Sequence, residues 1–224
     1  RHHEAPNESH TNQLLRDVIL DAYELYGSQA TTEWALDVFR NHISGWKPLN
    51  PNLRGAVYNI VARLNLGSLH RELQQRYEKA ELHEERVRLL NALGHVSDDE
   101  MMSDLLDYTF NSGKVRTGDV PEVLSSLGSH AAGRRAAWHF VRTNWGNVQE
   151  RYSGGGLMMT GRILEATLGG FATAKDADEI EQFFIEHPTP SATLVIAEAL
   201  EQIRDRAAWY ERDGASLTQF LQSY

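Results

Sequence analysis

Apolar side chains recur at steps of three and four along almost the whole chain. Leu14, Leu15, Val18, Ile19, Ala22, Leu25 and Tyr26 set the pattern, and Trp34, Ala35, Val38, Phe39 and Ile43 repeat it. It returns in Leu53, Val57, Ile60, Val61 and Leu64, in Met101, Met102, Leu105, Leu106 and Phe110, and in Val195, Ile196, Ala199, Leu200 and Ile203. A helix turns once in 3.6 residues, so each set lines one helical face. The period-two alternation of a half-buried strand is hard to find over five consecutive residues. The expected fold class is all-α.

The breaks between these runs carry helix-end chemistry. Ser97-Asp98-Asp99-Glu100 has the form of a capping box, with the Ser97 hydroxyl as N-cap acceptor and Glu100 reaching back. Asn50-Pro51 and Thr189-Pro190 put a capping residue before a proline at the first helical position, where the missing N–H costs nothing. Gly27 stands at a C-cap position, and Gly67, Gly94, Gly113 and Gly128 each close an apolar run. The pattern implies roughly a dozen helices of about three turns. Starts near residues 11, 51, 81, 119, 154 and 190 fall roughly 30 to 40 apart, about one helix-pair repeat. We therefore expect an irregular α-solenoid of antiparallel helix pairs, HEAT- or armadillo-like, whose concave face takes a partner or substrate. Residues 1–10 read as an N-terminal extension, and 11–224 as one continuous helical-repeat domain.

Composition narrows the function. The chain has 224 residues, 22 Lys and Arg against 31 Asp and Glu, a net charge of -9, and no cysteine. A disulfide framework, a thiolate metal site and a cysteine nucleophile are excluded, which suits a cytoplasmic location. A chain this acidic repels a polyanion, so no nucleic-acid partner is expected. No apolar run approaches the ~20 residues that span a bilayer, and Arg1 to Pro6 offers no apolar signal sequence.

A search for catalytic chemistry finds none. His83-Glu84-Glu85-Arg86-Val87 begins like a zinc-protease helix, but Val87 stands where the second imidazole ligand belongs. His130 and His139 do not share a face. Gly154-Gly155-Gly156 is followed by Leu157-Met158-Met159, without the lysine and hydroxyl of a phosphate loop, and reads as a helix-to-helix turn. No Gly-x-Ser-x-Gly elbow occurs, and the acidic clusters at 98–100 and 176–179 sit at helix starts, where the dipole favours them. Arg134, Trp138 and Arg142 stand out because steps of four place them on one face. Two guanidiniums flanking an indole can hold a carboxylate. The same spacing also fits a core tryptophan with its arginines paired to acids of a neighbouring helix.

Around these residues the sequence resembles a known family. Gly133-Arg134-Arg135-Ala136-Ala137-Trp138-His139-Phe140-Val141-Arg142-Thr143-Asn144-Trp145 is similar to a stretch in the C-terminal helical domain of zinc aminopeptidases, nearest to the puromycin-sensitive type. Pro6 to His10 with Leu14-Leu15-Arg16, Leu53-Arg54 with Val57-Tyr58, Val115-Arg116 with Asp119, Glu186-His187-Pro188 with Pro190, and Ala208-Trp209 with Arg212-Asp213 agree in the same order. Gly118 and the length of the glycine run depart from the family pattern. The Gly-Ala-Met-Glu-Asn substrate motif and the His-Glu-x-x-His zinc helix of that family's upstream domain do not occur in this sequence.

The resemblance implies a non-catalytic C-terminal module that caps the active site and encloses the substrate chamber of an aminopeptidase. Zinc and catalysis would belong to an upstream domain of the same polypeptide, with no metal or catalytic residue in this chain. Its partners would be that domain and the peptide substrate, with neither nucleic acid nor membrane involved. By resemblance Arg142, with Arg134 behind it and Trp138 beside them, is the candidate for receiving the peptide's C-terminal end. The alternative is a free-standing HEAT-like scaffold binding a protein partner on its concave face. Such a scaffold needs polar capping repeats at both ends, whereas the first helix here opens with the apolar stripe from Leu14 to Tyr26.

Overall fold

The computed structural model describes residues 9–153 and 157–223. Every regular element among them is helical, twelve α-helices with three short 3-10 turns at Pro51–Leu53, Thr117–Asp119 and Pro190–Ala192. The glycine run 154–156 and the part of the N-terminal extension before Ser9 lie outside the described residues. The chain divides into two compact units, one up to Leu127 and the other from Gly128.

In the first unit α1 (His10–Leu25) packs on α3 (Arg54–Arg63), and α3 packs on α5 (His83–Leu93). Next in line, α7 (Val120–Gly128) reaches α5 where the Ser126 hydroxyl donates to the Asn91 carbonyl. On the other side, α2 (Gln29–Ile43) and α4 (Gly67–Lys79) lie against α3. The helix α6 (Asp99–Asn111) meets α4 through an edge-on Tyr77–Tyr108 pair, with ring centres 6.5 Å apart. Thus α3 stacks on α1 and α5 on α3, while α7 touches the C-terminal end of α5. Apolar on most of its circumference, α3 buries Ala56, Val57, Tyr58, Ile60, Val61 and Ala62, as a helix surrounded by others must.

The second unit repeats this order. Here α8 (Ala131–Thr143) packs on α10 (Leu157–Leu168), and α10 on α12 (Thr193–Gln222). Beside them, α9 (Trp145–Ser153) lies on α8 and α10, and α11 (Ala174–Glu186) on α12. Trp138 of α8 and Trp145 of α9 meet Phe183 and Phe184 of α11, with ring centres 5.2 to 6.1 Å apart and mostly edge-to-face. That aromatic cluster is the core joining α8, α9 and α11.

Several helix ends differ from expectation, for local reasons. The N-cap of α6 is Asp98, which accepts from the Met101 amide at 3.0 Å, and not Ser97. Asn65 takes Ser97 away: its Oδ1 accepts from the Ser97 and Asp98 amides, and its Nδ2 donates to the Ser97 hydroxyl. Gly67 opens α4 instead of closing α3, because Asn65, at φ +52, makes the turn. Asn50 caps its 3-10 turn through the Asn52 amide as its sequence implied, but the Thr189 hydroxyl turns back to donate to the His187 carbonyl. At the end of α1, Gly27 holds φ +93, the left-handed conformation expected of a C-terminal glycine.

Candidate functional site

The site grows from α8. His130 starts this helix, its Nδ1 accepting from the Gly133 amide at 3.1 Å, a cap absent from the reading of the sequence. Alanines at 131, 132, 136 and 137 favour the helix, and Gly133, Ala137, Trp138 and Val141 form its buried stripe. Asn144 ends it, its side-chain amide donating to the Phe140 carbonyl at 2.9 Å. The facing helix α11 starts at Thr173, whose hydroxyl accepts from the Asp176 amide and donates to the Asp176 carboxylate at 2.6 Å. Its inward stripe is Ala177, Ile180 and Phe184.

Between these helices lies a cleft of about 230 Å³. Arg135, His139 and Arg142 of α8 line one wall, and Asp176, Glu179 and Ile180 of α11 the other. Trp138, 4% exposed, and Phe171 complete the lining. Charges of both signs face the same space. Arg142 is paired with Glu179, and both side chains are about two-fifths exposed. Water therefore screens that pair, which is worth at most about 1 kcal/mol and exchanges readily with a competing ion.

The three residues singled out from the sequence do share one face of α8, but they do different work. Arg142 and Trp138 line the cleft; Arg134 is not among its lining residues. The Arg134 guanidinium donates to the Gly170 carbonyl and sits 6.0 Å from the centre of the Phe171 ring. Arg206 of α12 donates to the neighbouring Phe171 carbonyl at 3.1 Å. Two arginines thus hold the carbonyls just beyond the C-terminal end of α10, where cations interact favourably with a helix dipole. Arg135 and His139, both noticed in the sequence, were not among its candidate binding residues, although with Arg142 they follow steps of four and three. Glu179 and Asp176 had been read only as helix-start acids; their place across the cleft depends on packing 37 residues away along the chain.

Among the described residues no three His, Asp or Glu side chains converge as metal ligands. His83 opens α5 with Glu84 and Glu85 in the first turn, a dipole-favoured arrangement. These residues do not fit a zinc ion. No helix among the described residues is long and apolar enough to cross a membrane.

An all-α chain with an amphoteric cleft in its second unit is the class that geometry defines, and comparison of sequences names the family. The model of the ERAP1-like C-terminal domain matches residues 2–205, so the chain belongs to that family. It is 28% identical over 216 residues to "Aminopeptidase 2, mitochondrial" of Saccharomyces cerevisiae, covering 96% of this chain and 22% of that protein. It is 28% identical over 209 residues to "Aminopeptidase M1" of Arabidopsis thaliana, covering 91% and 23%. With "Aminopeptidase N" of Oryctolagus cuniculus it shares 30% over 173 residues, covering 74% and 17%. The chain therefore spans about a quarter or less of the length of the curated relatives it matches.

Proposed function

We propose that this chain is the non-catalytic C-terminal module of a zinc-dependent aminopeptidase that removes N-terminal residues from peptides. The observation that carries the reading is the family match over residues 2–205, together with relatives that are named aminopeptidases and are about four times as long. In this reading the upstream region of the same polypeptide holds zinc and breaks the peptide bond. The helical module encloses the substrate chamber and caps the active site. Its HEAT-like stacking supplies a wall of side chains, and the absence of cysteine suits the cytoplasm.

Within the module, Arg142 is our candidate for receiving the carboxylate end of a long peptide, with Trp138 under it and Arg134 behind. A carboxylate entering the cleft would replace Glu179 on the Arg142 guanidinium, an exchange of one half-exposed ion pair for another. Arg135 and His139 extend the same wall.

The test is Arg142→Ala in the full-length enzyme. Trimming of a peptide of ten or so residues should weaken, seen as a higher KM, while hydrolysis of leucyl amide, too short to reach the cleft, keeps its rate. Equal effects on both substrates would remove Arg142 from this role. Zinc-dependent hydrolysis of leucyl amide by the isolated 224-residue chain, abolished by a chelator, would overturn the reading of the module as non-catalytic.

A further inference from the structure

The polarity of α1 is inverted with respect to the unit it packs on. Its charged and amide side chains point inward: Asp17 accepts from the Ala56 amide at 2.8 Å, Gln13 accepts from Asn52 at 3.2 Å, and Arg63 donates to Asp21 and Glu24. Leu20, outside the apolar stripe, is the one buried residue of the helix. Leu14, Leu15, Val18, Tyr23 and Leu25 are 50 to 65% exposed, and Tyr26 is 87% exposed. Ile19, Ala22, Tyr23 and Tyr26 line a groove of about 520 Å³ that runs to the turn at Gly27 and Ser28. Contiguous apolar surface of this kind marks a place where another surface belongs.

We infer that the outward face of α1 is the seat of polypeptide that lies upstream of this 224-residue chain in the full-length protein, docked through an apolar helical surface. This inference rests on the reading of the chain as a module of a longer polypeptide. The family matched is a C-terminal domain, and more than three quarters of the yeast and Arabidopsis relatives' length falls outside the match. In a protein of that design the additional length lies on the N-terminal side. The first described helix, α1, is where such a polypeptide arrives, and covalent attachment gives it a high effective concentration there. The side chains on the groove carry no charge, so an apolar ridge is the complementary surface. A second copy of the chain is the weaker occupant. The 16 residues of α1 form a strip only about 24 Å long and roughly 10 Å wide, well short of the ~800 Å² that each partner of a stable dimer buries.

The absence of native cysteine in this chain makes the test direct. Val18→Cys and Tyr23→Cys, each at an exposed position, are made in the 224-residue chain and in the full-length gene product. Alkylation by N-ethylmaleimide is followed by mass spectrometry of the peptide containing α1, with urea-unfolded protein as the reference. In the isolated chain both thiols should react within a few-fold of the reference; in the full-length protein both should slow at least tenfold. Equal rates in the two proteins overturn the inference. So does concentration-dependent protection of the isolated chain together with a dimer mass by light scattering, which gives the face to a second copy. Leucyl amide hydrolysis by the same full-length preparation separates the two ideas. Turnover with α1 unprotected refutes the docking and keeps the aminopeptidase reading; protection without turnover refutes the aminopeptidase reading and keeps the docking.

Discussion

Gly94→Ala asks whether α5 and α7 are held at contact by a missing side chain. A Cβ at Gly94 would lie 2.5 Å from the Ser126 Cβ and 2.7 Å from its hydroxyl. Carbon atoms in contact sit at about 3.5–4.0 Å, so roughly an ångström must be found. Rotating Ser126 cannot supply it, because Cβ is fixed to the backbone; the two helices must separate. Overpacking of this kind costs typically 1–3 kcal/mol, and a shift of backbone belongs near 3. Gly94 has φ -73, which alanine accepts, so the lost freedom of the unfolded chain returns about 1 kcal/mol. The net expectation is destabilisation by about 2 kcal/mol.

The second half of that experiment is Ser126→Gly. By itself it removes the hydrogen bond to the Asn91 carbonyl and places a glycine in α7, together about 2 kcal/mol. Combined with Gly94→Ala it removes the collision, leaving only the Leu127 amide nitrogen, 3.1 Å from the new methyl, to give by tenths of an ångström. The double variant should therefore lose about 1–2 kcal/mol where additivity demands about 4, a coupling of at least ~2. Urea unfolding followed by helical circular dichroism reads these differences from midpoints at constant m. A double variant as unstable as the sum of the singles would show that the helices are not in contact at Gly94.

Three further outcomes follow from the same structure. Trp138→Ala should cost about 3–5 kcal/mol in denaturant unfolding, because its 4% exposed ring anchors the cluster with Phe183 and Phe184; a change under about 1 would make it mere cleft lining. Arg63→Ala leaves Asp21 and Glu24 unpaired against α3 and should cost about 2 kcal/mol, the loss for a buried pair reduced for side chains 13 to 32% exposed; high salt that erases the difference would place the pairs in solvent. Burial pushes the His70 imidazole below its ordinary value of 6.5, with the Leu93 backbone and Asp104 partly opposing, so the unfolded chain binds the proton first and stability falls as pH drops below 6.5. His42, also held low by burial and by Arg76 and Arg54, titrates in the same direction, so His70→Leu should reduce the loss without abolishing it, and an unchanged slope would remove His70 from the account.

What could be read from the sequence was local. Helical period depends on residues three and four apart, so the helices themselves were legible, and the glycine at the end of α1 followed from the conformation that only glycine takes cheaply. Helix ends were legible only where no distant group competed. Ser97 had the right chemistry and spacing for a cap, but the Asn65 side chain, 32 residues earlier, takes its hydroxyl and passes the cap to Asp98. The candidate site divides in the same way. Steps of four put Arg134, Trp138 and Arg142 on one face, yet nothing in α8 alone says that Glu179 stands opposite Arg142, or that the Gly170 carbonyl takes Arg134.

The case of α1 shows what a correct periodicity leaves open. A stripe of apolar residues says that one side of a helix is to be covered; it does not say by which neighbour. On the sequence the stripe from Leu14 to Tyr26 had the period of the other core faces, and only its place in the first helix, where a free-standing scaffold needs a polar cap, set it apart. In the structure the opposite, charged face is satisfied instead, each carboxylate meeting an amide or a guanidinium of α3. Those contacts are specific enough to orient α1, whereas the apolar face, indifferent to the identity of its partner, is left for a second surface. A helix oriented by its polar side and covered on its apolar side is built as a connector. That is the reason the labelling of Val18 and Tyr23 discriminates between occupants where a stability measurement on the isolated chain would not.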